Sequence, residues 1–473
     1  MTRRYLRLCA VLALLLLPRS AATAQAGRFD LEKTKTVLTT LIERTLADNG
    51  IPSMSIALVR GDSIVWKAAF GYANLRTKTP ATTETIYSTG SSFKSVTATA
   101  VMQLVEQGKI RLDDPINRYL GDDRVQDRLQ SEKPVTFTHI LSHWSGLLSG
   151  AETEPIWSRK LPKTMEEFTA KLYSIRAPET KWEYNNFAYG TAGLLVQKIS
   201  GVEYEQYMVE NVLKPLGVTT PHPVYPSPEM VEVMSLPYAA GGSLGQPRPV
   251  AQVHFDVYPA GDIWLRAEDM ARYLGAQLNG GVFNGKRILS EESVKAMHEP
   301  RFGGDYGFGF WMIKDSASGH TLIHHGGAIA GQRAFLIGDL DAKVGVYYMT
   351  NSDFLPDATP PSELSGAALK LLRGEDYVLP PERKGIAVDD KVLDSYVGTY
   401  ELGRGSIVIS RVGRALAIQQ TGQAAVNELL AETPTRFVPR GGGTTVTFEG
   451  EGGRIDRLVL EAGTRRMTAT RRK

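Results

Sequence analysis

Ser91-Ser92-Phe93-Lys94 sets a serine three residues before a lysine, a pattern that occurs once in the chain. On a helix those two positions share a face, so the hydroxyl and the amine can meet. A helix N-terminus also favours the negative charge that develops on an attacking serine oxygen. A desolvated lysine near other positive charge is neutral enough to accept the proton. The chemistry implied is nucleophilic attack by Ser91 with Lys94 as base. Taken alone, the pattern equally describes a capping serine beside a solvated lysine.

Two further stretches carry groups that could complete such a site. Tyr184-Asn185-Asn186 offers a phenol, which becomes a general base if cations lower its pKa, and Asn186, which can donate to a substrate carbonyl and to Lys94. Tyr72-Ala73-Asn74 has the same spacing, which does not choose between them. His325-Gly326-Gly327-Ala328 falls on an expected strand. Glycines there let a substrate backbone approach closely. The N–H groups of Ser91 and Ala328 can then form an oxyanion hole. His324-His325-Gly326 is a rival register, one residue away, that would turn the other side chain inward. His139 and His143 stand four apart, as metal pairs on helices do, but with no Glu between them and no third ligand; a structural role is expected and no metal.

The elements that must position these residues follow from periodicity. Met54 to Val59 and Ser63 to Trp66 read as strands around an Arg60-Gly61-Asp62 turn. A helix begins near Ser91, with Val101, Leu104 and Val105 at helical spacing and Gly108 as its cap. Thr191 to Ile199 is a second apolar helix closed by Gly201. Strands return from Ile323, at Ala334 to Ile337 and Val344 to Met349, and Ala367 to Leu372 reads as a closing helix. Strands at both ends with helices between predict one α/β domain whose sheet joins the two ends around a helical insertion. Residues 373–390, with Pro380-Pro381 and many charges, read as a linker. Beyond it, short alternating runs at Ser406–Ile409, Ala415–Ile418, Thr444–Phe448 and Leu458–Leu460, separated by Gly-rich turns, predict an antiparallel meander closing into a small barrel.

Composition narrows the possibilities further. The 473 residues are 42% hydrophobic and 22% charged, the balance of a globular protein with a large core. No basic block or aromatic-basic alternation favours nucleic acid. Arg3, Arg4 and Arg7, then the uncharged run Leu8 to Leu17, then Ala22-Thr23-Ala24 and Ala24-Gln25-Ala26, read as an export signal. The run is too short to span a bilayer as a helix, so no stable membrane anchor is expected in the mature chain. Removing residues 1–26 takes four arginines with it and turns the formal charge from +3 to −1. It also removes Cys9, the only cysteine, which excludes disulfides and thiol chemistry from the remainder.

In order and context these motifs resemble the serine β-lactamase and penicillin-binding-protein superfamily, on its class C β-lactamase-related, esterase and D-peptidase branch. That family runs S-x-x-K, then Y-x-N, then K-x-G or H-x-G. The order selects Tyr184, since Tyr72 precedes the serine, and the spacing to Gly331 favours the register of His325. Leu141-Ser142-His143-Trp144-Ser145-Gly146-Leu147, Pro259-Ala260-Gly261 and Tyr306-Gly307-Phe308-Gly309 are also family-like, and the likeness runs from about residue 30 to 370. Tyr396-Val397-Gly398-Thr399-Tyr400 resembles the start of the lipocalin-like barrels appended to some members.

The resemblance implies an α/β, β-lactamase/transpeptidase-like fold: an antiparallel sheet flanked by helices plus a helical subdomain, followed by a small all-β barrel. The corresponding divisions are a signal at 1–26, a catalytic domain at 27–372, the linker at 373–390 and the barrel at 391–473. It implies an exported hydrolase, periplasmic or secreted, forming an acyl-enzyme on Ser91 with Lys94 and Tyr184 sharing the proton and no cofactor. Ser91 and Ala328 would supply the oxyanion hole, and Asn186, His325, Gly326 and Gly327 would hold a small-molecule or peptide substrate: a carboxylic ester, a D-amino-acid peptide or a β-lactam. A sensor or scaffold without efficient turnover is the competing reading. His325 stands where many β-lactamases carry a lysine; a neutral histidine would not grip a substrate carboxylate.

Overall fold

The computed structural model describes residues 28–150, 153–155, 164–220, 228–354, 361–451, 454–463 and 465–472. The export signal read at 1–26 lies outside the described residues. β1 (Ser53–Arg60) turns at Gly61-Asp62 into β2 (Ser63–Asn74), which meets the two-residue β3 (Thr79–Pro80). Far along the chain come β4 (Trp311–Lys314), β5 (Thr321–Ile329), β6 (Gln332–Asp339) and β7 (Val344–Thr350). They form one antiparallel sheet in the order β4-β5-β6-β7-β1-β2-β3. β1 pairs with β7 from Met54 opposite Thr350 to Arg60 opposite Val344, so the two ends of the domain do share one sheet.

Both faces of that sheet are covered, which explains why β1 is buried at every residue but its last rather than alternating. Ala57 and Val59 enter the core on one side; Met54, Ile56 and Leu58 enter the core on the other. The second core is closed by α1 (Leu31–Asn49), through Val37, Leu38, Leu41 and Ile42, and by the last helix of the domain, Glu363–Leu372. α1 begins on the Asp30 side chain, which accepts from the Lys33 amide, and ends on Gly50 in the left-handed conformation.

The first core surrounds α2 (Lys94–Glu106), whose residues Lys94 to Leu104 are all buried. A helix buried on every side belongs in a core, and this one lies between α3 (Asn186–Ser200), which follows Tyr184, and α4 (Ala267–Leu278), which packs across β1 and β7. The serine expected on this helix precedes it, in a 3₁₀ turn at Gly90–Phe93. In 3₁₀ geometry positions i and i+3 eclipse, so Ser91 still faces Lys94.

The C-terminal region is a closed eight-stranded barrel of successive antiparallel neighbours, from Gly398–Leu402 to Arg465–Arg471. Four of its strands match the runs read from sequence. The others escaped because their patterns are weak: Arg436–Pro439 contains a proline, and Arg465–Arg471 is mostly polar. Tyr396 stacks on Phe448 with ring centroids 4.1 Å apart, and its carbonyl accepts from the Tyr400 hydroxyl at 2.8 Å. The barrel docks on the first domain by strand-like hydrogen bonds: Val426 N–H to Gly241 O at 2.8 Å and Leu244 N–H to Val426 O at 2.9 Å.

One buried charge ties the sheet to the segment that leaves it. Asp339, at the end of β6, has no exposed surface. Its carboxylate accepts from Arg373 Nη1 at 2.9 Å, from His320 Nδ1 at 2.7 Å and from the amides of Asp341 and Ala342. Removing one partner of a buried pair leaves the other charge uncompensated. Arg373→Met is therefore expected to lower unfolding free energy by about 3 kcal/mol, read as a lower urea midpoint; an unchanged midpoint would contradict this role for the pair.

Candidate active site

Lys94 Nζ lies 3.0 Å from Ser91 Oγ and donates to the carbonyl of Ala260 at 2.7 Å. Lys94 has no exposed surface, whereas Ser91 is partly exposed. No carboxylate pairs with the amine among the described residues. Desolvation alone therefore holds its pKa well below the ordinary lysine value. The sequence expected desolvation together with a second positive charge; burial is the cause seen here.

Tyr184 completes the group. Its ring centroid lies 4.8 Å from Lys94 Nζ, and its hydroxyl is near enough to Ser91 for that side chain to influence its pKa. Burial pushes the phenol pKa up, and Ser91 only partly opposes this. A phenol acting as a base needs cations to lower its pKa; here burial shifts it the opposite way. The Tyr189 ring lies on Lys94 as well, at 5.6 Å, and its hydroxyl is fixed on the Leu141 carbonyl. Two aromatic faces and one carbonyl are what an ammonium formed here would meet.

Ser91 is held against β5 by missing side chains. A Cβ on Gly90, whose φ is +50°, would sit 2.3 Å from Ala328 N, and one on Gly327 would sit 2.0 Å from Thr89 O. The turn at 89–91 and the strand at 327–328 thus touch through backbone, which brings the regions of the Ser91 and Ala328 amides together. β4 pairs with β5 only along Thr321–His324. The stretch His325–Ile329 therefore has no strand on its outer edge, where an extended substrate can lie.

Ala328 is exposed, Gly326 partly exposed and Gly327 buried. His325 points to the Ser91 side of the sheet, while His324 lies on the other face against Phe335, so the register follows His325. It is only 3% exposed. Its Nδ1–H donates to Gly326 O at 2.6 Å, and its Nε2 accepts from the Tyr306 hydroxyl at 3.0 Å. Burial, with Lys94 nearby, lowers its pKa to about 3. His325 is thus a neutral ring with both nitrogens engaged.

Asn185 caps α3, its side chain accepting from Ala188 N–H at 3.0 Å and donating to Leu147 O at 2.9 Å. Asn186 is partly exposed and makes no side-chain hydrogen bond among the described residues; the bond expected between it and Lys94 is absent. Tyr72 is 44% exposed on β2, pairing with β3. His139 and His143 turn to different partners: Glu179 and the Thr136 amide for the first, the Asn185 amide for the second. Sequence reasoning gave no role to Ala260 and Tyr306, although it noted both stretches. A backbone carbonyl has no residue signature, and a tyrosine bonded to a histidine looks like any core tyrosine.

With this geometry in view, the comparisons are specific. The profile of the Beta-lactamase family matches residues 38–368. The chain belongs to that family. Among curated relatives, Penicillin-binding protein 4* of Bacillus subtilis (strain 168) is 25% identical over 87% of this chain and 93% of its own length. PbpX of the same organism is 29% identical over 56% of this chain, and the match spans 63% of that relative. Among solved structures, the octameric penicillin-binding protein homologue from Pyrococcus abyssi superposes with a TM-score of 0.58 at 24% identity, covering 93% of this chain and all of that one. Residues 38–368 therefore have the Beta-lactamase-family fold, and the superposition on the Pyrococcus homologue extends over 93% of this chain.

Two outcomes follow from the site's packing. Gly327→Ala must push β5 off the 89–91 turn; a loss of about 100-fold in kcat with the fold retained is expected, the scale of a lost oxyanion donor. Parental kcat in that variant would rule out the contact's importance. His325 binds its proton only near pH 3 when folded but near 6.5 when unfolded, so the unfolded state takes up more protons below about pH 6.5. Stability is then full above that pH and falls as pH drops, and thermal midpoints should decline from pH 7 to pH 5.

Proposed function

We propose that this Beta-lactamase-family protein is an exported serine hydrolase, periplasmic or secreted, that cleaves a carboxylic ester through an acyl-enzyme on Ser91. The observation that carries the reading is a fully buried, unpaired amine 3.0 Å from a partly exposed serine hydroxyl. Lys94 takes the Ser91 proton as the oxygen bonds to the substrate carbonyl carbon. The carbonyl oxygen gains the negative charge and lies on the Ser91 and Ala328 amides. The Lys94 ammonium is held by Ala260 O and the two tyrosine rings. Tyr184 passes its phenol proton to the leaving alcohol while taking one from Lys94, so the phenol ends as it began. Water then attacks the acyl carbon by the reverse relay and releases the acid and free Ser91. No metal or organic cofactor enters these steps.

The ester preference rests on His325. Where a carboxylate-bearing substrate would need a cation, this site presents a neutral, buried ring. The names of Penicillin-binding protein 4* and of the Pyrococcus homologue favour a second reading, in which a β-lactam acylates Ser91. A panel of a chromogenic short-chain ester, a D-alanyl peptide and a chromogenic β-lactam, with mass spectrometry of the labelled residue, separates the two. Steady ester turnover is expected, with loss on the order of 10⁴-fold or more in Ser91→Ala. Stoichiometric β-lactam acylation with no ester turnover would replace this reading by the sensor. His325→Lys is expected to raise relative activity on carboxylate-bearing substrates; an unchanged ratio would refute the assignment of selectivity to that position.

A further inference from the structure

We infer that His143 is a positioning residue for this site: its backbone and its imidazole together grip the strand of chain that carries Tyr184. The inference rests on the reading of Ser91 as nucleophile and adds a residue to it. The Glu183 amide donates to His143 O at 2.9 Å, and the Asn185 amide donates to His143 Nδ1 at 3.1 Å. The residues before and after Tyr184 are thus bonded to one residue. The imidazole centroid also lies 4.4 Å from the Tyr184 ring centroid, so the phenol is fixed in rotation as well as in place.

Several features mark this as more than ordinary packing. His143 has no exposed surface and holds a φ of +67°, a conformation costly for a residue with a Cβ. Because Nδ1 accepts, the proton of the neutral ring resides on Nε2. That Nε2–H is buried and finds no hydrogen-bond acceptor among the described residues. Leaving such a donor unpaired is unfavourable. A phenylalanine would fill the same aromatic box of Trp182, Tyr189 and Tyr306 without that penalty, but could not receive the Asn185 amide. The histidine is retained at a cost, and what it supplies is one acceptor at the Nδ1 position. An error of about 1 Å in a reacting group can cost on the order of 100-fold in rate. The Tyr184 hydroxyl, which must reach both Ser91 and the leaving group, is the atom exposed to that error.

The test compares His143→Phe with His143→Asn in the full chain. Asparagine places an acceptor oxygen where Nδ1 stands and tolerates positive φ; phenylalanine keeps the ring and loses the acceptor. A serine-directed fluorophosphonate, located by mass spectrometry, first establishes whether Ser91 of the parent is the nucleophile. If it is not labelled, the functional reading fails by itself. If it is, His143→Phe is expected to lose about 10- to 100-fold in kcat with KM little changed while remaining folded at the assay temperature, and His143→Asn recovers most of the rate. Equal losses in the two variants, or parental kcat in His143→Phe, would overturn the inference. Should the phenylalanine variant not fold, His143→Asn decides: kcat within about threefold of the parent supports it, and a larger loss overturns it.

Discussion

An amine that is buried without a counter-ion is the constraint from which the rest of this structure can be understood. Placing Lys94 in the middle of the core costs solvation, and no carboxylate among the described residues offsets it. That cost favours release of the proton, and a neutral amine is what a serine nucleophile needs. Everything around it is consistent with that choice. α2 is buried on all sides, the nearest imidazoles have lowered pKa values, and among the described residues the amine's oxygen partners are the serine and one backbone carbonyl. A single carboxylate in this space would hold the lysine charged and remove its use as a base.

That environment depends on long-range assembly. Ser91 and Lys94 come from the edge of the helical insertion, Tyr184 from the segment leading into α3, Ala260 from a turn before α4, and His325 to Ala328 from the returning sheet. They meet because β1 pairs with β7 and so brings the late strands beside the early helix. Close backbone approach at Gly90 and Gly327 then sets the final separation. The barrel stands outside this arrangement but touches it indirectly. Gly241 and Leu244 bond to Val426, and the same loop runs on to Val250, which packs on Gly331 at the tip of the β5–β6 turn.

The distribution of histidines shows how burial redefines a residue type. His325 and His143 are both neutral rings whose Nδ1 bonds differ: one donates to a carbonyl, the other accepts an amide. His139 caps a short helix and meets Glu179. His320 joins Asp339 and Arg373 at the far end of the sheet. Spacing alone could not distinguish these roles, since a helical pair at 139 and 143 and a strand pair at 324 and 325 each split between different environments.

By itself the sequence determined which groups exist and in what order they occur. The S-x-x-K pattern, the later Tyr-x-Asn and the final His-Gly-Gly were legible because these side chains are chemically distinctive. The two-ended sheet and the meander beyond residue 390 were legible because apolar periodicity records which faces are buried. What the tertiary structure alone decided was the protonation and the aim of those groups. It lowered the lysine pKa without a cationic neighbour and raised that of the phenol. It turned Asn185 into a cap and left Asn186 without a bond to Lys94. It spent both nitrogens of His325 and recruited the carbonyl of Ala260. These outcomes depend on solvent exclusion and on backbone atoms, and neither is encoded in the identity or spacing of any one residue.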